Sequence, residues 1–196
     1  MIDVIDYGGG NLGSLLRCLE RLNVPYQKCS ANHLPSGDYP IILPGVGAFG
    51  ALMNALSQGG LAHRLKQLLQ EGVPYLGICV GLQILLESSE ESPHSPGLGI
   101  VAGSVVKFQA QKVPQIGWNL LKPVSHPNDP EGYVYFVNSY YACPDDSAVV
   151  LYEADYNGPF CAAIRQNNLT AFQFHPEKSG PFGHELIKRW LQEVGS

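Results

Sequence analysis

The chain has 196 residues, of which 45% are hydrophobic and 15% charged, and this balance excludes an intrinsically disordered protein. Twelve basic and seventeen acidic residues give a net charge of -5, which argues against nucleic acid as the main partner. The length predicts a single domain over residues 1–196. No apolar run approaches the roughly 18 residues that a membrane span needs. The start of the chain carries no basic targeting region, so we expect a cytoplasmic protein.

The first half of the sequence alternates short apolar runs with helical patterns. Four apolar runs predict strands, at residues 1–6, 24–29, 39–45 and 73–78. Leucines recurring at helical spacing predict helices between them, over residues 12–22, over 48–71 with a break near Gly59-Gly60, and over 80–87. Strands and helices in alternation predict a parallel sheet with helices on both faces.

The second half changes character. Short runs rich in aromatic and β-branched residues predict strands without intervening helices, at residues 101–108, 113–121, 133–137, 148–154, 160–165 and 169–174. A closing helix is predicted over 180–193, with Leu186, Ile187, Trp190 and Leu191 on one face. The predicted fold class is therefore α/β, with a mostly parallel central sheet, helices on both faces and added antiparallel hairpins.

Five cysteines are present, and none of their spacings is a CxxC metal clip or redox pair. We expect most of them to be small buried apolar residues. Cys79 differs, because it lies in VPYLGICVGLQ, where an apolar strand runs into a helical pattern through a Gly-x-Cys-x-Gly segment. The alternative for Cys79 is a buried cysteine at a strand end.

The Gly-x-Cys-x-Gly segment has the form of a nucleophile elbow with sulfur in place of oxygen. A sharp strand-to-helix turn strains the backbone of the nucleophile, so the residues two before and two after it must lack bulk. We expect the turn to push the sulfur into solvent at a helix N-terminus, where the helix dipole favours thiolate. The Val80 amide would then be free to donate to an oxyanion.

A thiolate nucleophile needs a base, and His175 is the best candidate among six histidines. It directly follows the predicted strand TAFQF, and Pro176 and Glu177 come next. Proline restricts the local backbone, and a carboxylate two residues on can accept the imidazole proton and fix its tautomer. His-Pro-Glu alone is a common turn sequence, so its weight comes from pairing with the cysteine elbow.

GICVGLQ followed by HPEKS resembles the class I, triad-type glutamine amidotransferases, and the order and separation of the two motifs also fit. Further segments are similar to one subfamily, the glutaminase subunits of imidazole glycerol phosphate synthase in histidine biosynthesis. These segments are IDYGGGNLGSL at the start, PGVGAFG at 44–50, VPQIGWN at 113–119 and YFVNSYY at 135–141. The similarity covers nearly the whole chain.

This resemblance implies a Cys-His-Glu triad that hydrolyses L-glutamine to glutamate and ammonia. Cys79 would attack the side-chain amide, His175 would pass the proton to the departing ammonia, and Glu177 would orient His175. The oxyanion would be bound by the Val80 amide and, after a peptide flip, by the Val46 amide. The resemblance also implies a set of residues that hold the substrate, namely Gln83, Ser139 and Tyr140.

The resemblance further implies a heterodimer with a (β/α)8-barrel cyclase subunit, which receives the ammonia, and a free chain that is nearly silent. Candidate contacts to this partner are Asn11, Trp118, Asn119 and Lys178. No cofactor and no metal are expected. Asn138 and Gln115 stand where the subfamily is expected to carry histidines, and we interpret them as changes at the substrate rim or the interface.

Other functions fit the sequence less well. Residues 8–13 match the G-x-G-x-x-G of dinucleotide-binding proteins, but the acid required after the second strand is missing. No histidine pair has metal-ligand spacing. Two alternatives stay open: a cysteine peptidase or γ-glutamyl hydrolase on the same scaffold, and a non-catalytic interaction subunit.

Overall fold

The computed structural model describes residues 1–9 and 12–195. The five α-helices in this part of the chain are α1 Gly13–Arg21, α2 Phe49–Ser57, α3 Leu61–Gln70, α4 Val80–Gln83 and α5 Gly180–Glu193. The first six strands are β1 Ile2–Ile5, β2 Tyr26–Cys29, β3 Ile41–Gly45, β4 Tyr75–Cys79, β5 Ser88–Ser89 and β6 Gly103–Lys107. The remaining six are β7 Gln115–Pro123, β8 Gly132–Asn138, β9 Tyr140–Pro144, β10 Val150–Asp155, β11 Pro159–Gln166 and β12 Leu169–Phe172.

Parallel strands form the centre of the sheet, in the order β2-β1-β3-β4-β12. Every residue of β1, β4 and β12 is buried, which requires cover on both faces of the sheet. The alternation of strands and helices predicted for the first half is therefore observed, as is the break between two helices near Gly59 and Gly60, both of which have positive φ.

Antiparallel strands extend the same sheet from β12 through β11, β10 and β7 to β8, and β9 joins β11 to β6. The sheet is mixed, and the six strands predicted for the second half are present. Two strands were not predicted. One is β9, which a single residue separates from β8, and the other is the two-residue β5.

The return of the chain to the parallel centre determines where the two halves of the site meet. Strand β12 lies parallel to β4, with Leu169 opposite Tyr75 and Phe172 opposite Ile78. Both strands therefore end at the same edge of the sheet, β4 at Cys79 and β12 just before the segment that contains His175. Paired residues of β4 and β12 are 94 positions apart in the sequence, so this pairing brings distant segments of the chain to one edge of the sheet. Open α/β sheets bind ligands at such an edge.

The predicted helix over residues 80–87 was wrong, because α4 is a single turn that ends at Gln83. The next three residues, Ile84, Leu85 and Leu86, are all fully buried. Their carbonyls accept hydrogen bonds from the amides of residues 98–101 rather than from a continuing helix. An apolar run that is buried on every side carries no helical period, so periodicity alone could not place its end.

Helix α5 matches its prediction, and its buried residues include Leu186, Ile187, Trp190 and Leu191. This face packs the C-terminal segment against the core. None of the helices in the described part of the chain is long and apolar enough to cross a membrane.

Candidate active site

Cys79 lies at the junction of β4 and α4 with φ 56° and ψ −110°, a conformation that is strained for a residue with a side chain. The flanking glycines are required by close backbone approach. A Cβ on Gly77 would lie 2.5 Å from the Gly81 carbonyl oxygen, and one on Gly81 would lie 2.1 Å from the Leu43 carbonyl oxygen. The predicted elbow geometry is present.

The expectation that the sulfur points into solvent was wrong, since Cys79 is only 5% exposed. Instead it lies at the wall of a cavity of about 250 Å³. The elbow presents the residue to this cavity. The residues that share this cavity with Cys79 are Gly47, Val80, Gln83, Glu91, Pro114, Val137, Asn138, Ser139 and Tyr140.

His175 follows β12 and opens a short 3₁₀ turn over Pro176–Lys178. Its Nδ1 lies 2.9 Å from Glu177 Oε1, and both side chains are almost completely buried. Two hydrogen bonds connect this turn to β8, and a third lies within the turn segment itself. The His175 amide donates to the Tyr135 carbonyl, the Tyr135 amide donates to Ser179 Oγ, and the Ser179 hydroxyl donates to the His175 carbonyl. Hydrogen bonds to the backbone of His175 and to its ring therefore fix the position of the imidazole.

The pKa of His175 reflects its interactions with Cys79 and Glu177. Burial lowers the pKa of the imidazole, but hydrogen bonding to Cys79 and to Glu177 and the charges of these two groups outweigh burial and raise the pKa to about 9. The structure thus brings Cys79, His175 and Glu177 together. At neutral pH this pKa favours the imidazolium form of His175. An imidazolium beside a cysteine is an arrangement that activates a sulfur nucleophile.

The sequence matches the family model for class-I glutamine amidotransferases over residues 3–194. The chain belongs to the class-I glutamine amidotransferases. An imidazole glycerol phosphate synthase subunit HisH from Geobacillus thermodenitrificans is 41% identical over 204 residues, covering 97% of this chain and 95% of the relative. A protein of the same name from Herpetosiphon aurantiacus is 42% identical over 202 residues, covering 98% and 94%.

Solved structures support the fold of this glutamine amidotransferase. A crystal structure described as a glutamine amidotransferase has a TM-score of 0.80 at 20% identity and covers 100% of this chain and 99% of its own. The structure of PurLQS from Thermotoga maritima has a TM-score of 0.73 at 18% identity and covers 98% of each chain. At these identities the likeness concerns the fold alone.

The two oxyanion candidates of the amidotransferase differ in their surroundings. Val80 lines the cavity beside Cys79, whereas Val46 lies in a separate narrow cleft with Tyr7, His175 and Lys178. The Val46 amide donates to the Tyr7 hydroxyl at 3.1 Å, and that hydroxyl donates to the Val46 carbonyl at 3.3 Å. The amide hydrogen of Val46 is therefore engaged by Tyr7 and does not face an oxyanion.

The predicted substrate residues all line the cavity, but Gln83 is used within the protein. Its Nε2 donates to the Tyr140 carbonyl and to Gln173 Oε1, both at 3.0 Å. Sequence reasoning missed one residue that lines the cavity and one that contacts the Cys79 sulfur. Glu91 contributes the carboxylate of the cavity, and Gln173 contacts the Cys79 sulfur. Glu91 lies in a loop without a motif, whereas Gln173, two residues before His175, could have been examined as a neighbour of the base.

The predicted partner contacts fall into different environments. Trp118 is 57% exposed and packs edge-on against Tyr135, and Lys178 is exposed beside the Val46 cleft. The side chain of Asn119 is bonded within the protein, donating to the Asp155 carbonyl and accepting from the Leu120 amide. Asn11 lies outside the described residues.

Gln115 and Asn138, the two departures from the subfamily pattern, are direct cross-strand neighbours on β7 and β8. Both are buried, and each has one carbonyl oxygen without a hydrogen-bond partner among the described residues. The two changes are therefore adjacent, and Asn138 is the one that lines the cavity. No cluster of side chains suited to a metal ion occurs within residues 1–9 and 12–195.

Proposed function

We propose that this chain is the glutaminase subunit of an imidazole glycerol phosphate synthase, acting in the cytoplasm as one domain. In this role it hydrolyses L-glutamine and delivers ammonia to a cyclase subunit during histidine biosynthesis. The observation that carries the proposal is the buried Cys79-His175-Glu177 cluster beside a cavity of about 250 Å³ that Cys79 lines. The name shared by relatives that match nearly the full chain supplies the pathway.

Acylation begins with attack of the Cys79 thiolate on the amide carbon of glutamine. The imidazolium of His175 donates its proton to the amide nitrogen, so that ammonia leaves and a glutamyl thioester remains. Water then attacks the thioester, with neutral His175 as the base that takes its proton. Glutamate leaves, and the thiolate-imidazolium pair is restored. Glu177 supports both steps because it accepts a hydrogen bond from Nδ1 and stabilises the positive ring.

Oxyanion stabilisation explains why the isolated chain should be nearly silent. The Val80 amide is one proposed donor, at the wall of the cavity. The Val46 amide is the second, but it must first leave the Tyr7 hydroxyl. The positive φ of Gly47 permits backbone conformations that other residues avoid, and a missing oxyanion donor typically costs a factor of about 10²–10³ in turnover.

Substrate recognition follows from the polar groups of the cavity. Glutamine carries an α-ammonium group, and Glu91 is the carboxylate that faces the space beside Cys79. The Glu91 carboxylate also accepts a 2.6 Å hydrogen bond from the Phe49 amide, which fixes its position. Ser139 and Tyr140 are proposed to bind the α-carboxylate, and Gln83 contributes its carbonyl oxygen because its amide hydrogens are used elsewhere.

A cyclase with a (β/α)8 barrel is the proposed partner, and the outer face of the β7–β8 hairpin is the proposed docking face. We define this face by Ile116, Trp118, Tyr133 and Val137. They project to one side of the hairpin, and Ile116, Trp118 and Tyr133 are each more than half exposed. Val137 also lines the cavity, so a partner on this face would lie next to the source of ammonia. Lys178 is proposed to extend this interface, and Asn119 would support it from within the hairpin. Asn11 stays a candidate contact from the sequence alone.

Cys79→Ala tests the proposal in the assembled complex. We expect it to abolish glutamine-dependent product formation, with a loss of at least about 10³-fold, and to leave activity with added ammonium salts intact. Cys143→Ala removes an exposed cysteine outside the site and serves as the control, with both activities unchanged. Equal loss of both activities in Cys79→Ala would contradict the proposal that this chain releases ammonia and the cyclase subunit uses it.

The same complex separates the alternatives. A γ-glutamyl hydrolase or peptidase would cleave γ-glutamyl peptides in preference to free glutamine. A non-catalytic subunit would show no labelling of Cys79 by a glutamine-analogue electrophile. We expect hydrolysis of free glutamine and labelling that glutamine blocks.

A further inference from the structure

Gln173 is a buried amide that neither the triad nor the cavity accounts for. It is 0% exposed, follows β12, and does not line the cavity beside Cys79. Its Nε2 lies 3.7 Å from the Cys79 sulfur, within the range of an N–H···S hydrogen bond. A fully buried amide donor aimed at the reacting atom requires an explanation, because a polar group is costly to bury without a purpose for its hydrogen bonds.

The orientation of Gln173 is determined by a chain of hydrogen bonds that starts at a backbone carbonyl. The Tyr140 carbonyl can only accept, so Gln83 must present its NH₂ group to it. The second hydrogen of that NH₂ group donates to Gln173 Oε1, which turns the NH₂ group of Gln173 toward the sulfur. The reverse orientation of Gln173 would oppose two NH₂ groups and place an oxygen against the sulfur.

Such a donor favours the ionised sulfur over the thiol. A hydrogen bond to a charged acceptor is roughly twice as strong as one between neutral groups, and burial away from water increases the difference. His175 interacts with the same sulfur and supplies the positive charge, whereas Gln173 supplies a neutral, fixed donor. The sulfur is thereby held by two groups that follow the same strand.

We propose that Gln173 is a positioning residue that holds the Cys79 sulfur as a thiolate and fixes its direction, and that Gln83 acts by orienting Gln173. The inference rests on the proposed function, in which Cys79 is the nucleophile. It assigns Gln83 a structural task in addition to any contact with substrate. Neither residue transfers a proton or forms a covalent bond to glutamine.

Alkylation of the full chain by iodoacetamide over pH 6–10 tests the proposal, with modification at each cysteine quantified by peptide mass spectrometry. Gln173→Met preserves length and removes the donor. We expect the alkylation rate of Cys79 at pH 7 to fall about tenfold and the midpoint of its pH profile to move upward by about one unit. Cys143, which is exposed, serves as the reference in the same sample.

A second variant, Gln173→Glu, keeps the shape and still accepts from Gln83 but places oxygen where the donor was. We expect it to slow alkylation at least as much as Gln173→Met. Gln83→Met leaves the Gln173 amide free to turn, so we expect a smaller shift in the same direction. Asn168→Leu is the control for a general loss of packing, because Asn168 donates only to the carbonyls of Leu69 and Val73, and its profile should match the wild type.

In the assembled complex, Gln173→Met should lower kcat for glutamine about tenfold and leave KM within twofold, since Gln173 does not line the cavity. A wild-type alkylation profile in folded Gln173→Glu would overturn the proposal, even if Gln173→Met failed to fold. Absence of glutaminase activity in the wild-type complex would instead contradict the proposed function. The two failures are distinguishable because alkylation requires neither glutamine nor a partner.

Discussion

The parallel and antiparallel halves of the sheet differ in what they bury. In the parallel centre β1, β4 and β12 are buried from end to end, and Cys79 lies where β4 turns sharply at the edge. The antiparallel hairpin of β7 and β8 instead alternates buried and exposed residues and leaves large apolar side chains in solvent. The parallel half thus carries Cys79, and the half-exposed hairpin carries part of the cavity wall and the proposed docking face.

His175 joins the two halves. Its strand, β12, arrives from the antiparallel half but lies parallel to β4, and its backbone is tied to Tyr135 of β8. Cys79 and the proposed docking face therefore lie in different halves of the sheet. The turn that begins at His175 connects the two halves. Variants in one half should affect properties that variants in the other half leave unchanged.

The largest effect should come from Gly81→Ala in the parallel half. The new Cβ would lie 2.1 Å from the Leu43 carbonyl oxygen, and backbone on both sides prevents an easy shift. We expect a loss of about 3 kcal/mol in the free energy of unfolding, measured by urea denaturation. Gly158→Ala is the matched control. It has positive φ but open space around it, and should cost only about 1 kcal/mol. Equal losses would show that the elbow is not constrained by packing.

Trp118→Ala addresses the antiparallel half. Removal of a large exposed aromatic from the docking face should raise Kd for the cyclase about 30-fold, because such residues typically dominate binding energy. Titration calorimetry would measure it. Val124→Ala, at an exposed apolar residue beyond the end of β7, should leave Kd unchanged. A drop in thermal stability with no change in Kd would place Trp118 in the fold rather than the interface.

The sequence predicted the parallel half and the elbow because both follow from local patterns. Short, mostly apolar strands and glycines at fixed spacing around Cys79 have few alternative explanations. The end of α4 was missed because Ile84, Leu85 and Leu86 form a run without a period, and β9 because only Ser139 separates it from β8. Glu91 and Gln173 depend on contacts between distant segments, which no local pattern encodes.

The pH dependence of glutamine hydrolysis tests the group that joins the halves. The pKa of His175 is raised from 6.5 to about 9, so the imidazolium persists below pH 9 and is lost above it. We expect kcat for glutamine in the complex to fall about tenfold per pH unit above 9, because the proton for ammonia is then missing. Ammonium-dependent activity provides the correction for effects on the cyclase.

Glu177→Gln removes the carboxylate charge that helps to raise the pKa of His175. The alkaline decline in glutamine hydrolysis should therefore move to lower pH in this variant. A decline that stays at the same pH in wild type and Glu177→Gln would assign it to a group other than His175.

The smallest effect should come from Tyr7→Phe, which tests the proposed reason for the low activity expected of the isolated chain. The hydroxyl of Tyr7 accepts from the Val46 amide and donates to the Val46 carbonyl, so its removal frees both groups while the ring keeps its place in the cleft. A net contribution of about 1 kcal/mol predicts a rise of about fivefold in the glutaminase activity of the isolated chain. Activity in the complex should change less than twofold, because the partner would already have released Val46. Tyr39→Phe, at an exposed tyrosine that does not line the Val46 cleft, is the matched control. An isolated Tyr7→Phe chain no more active than wild type would mean that Tyr7 does not restrain the second oxyanion donor.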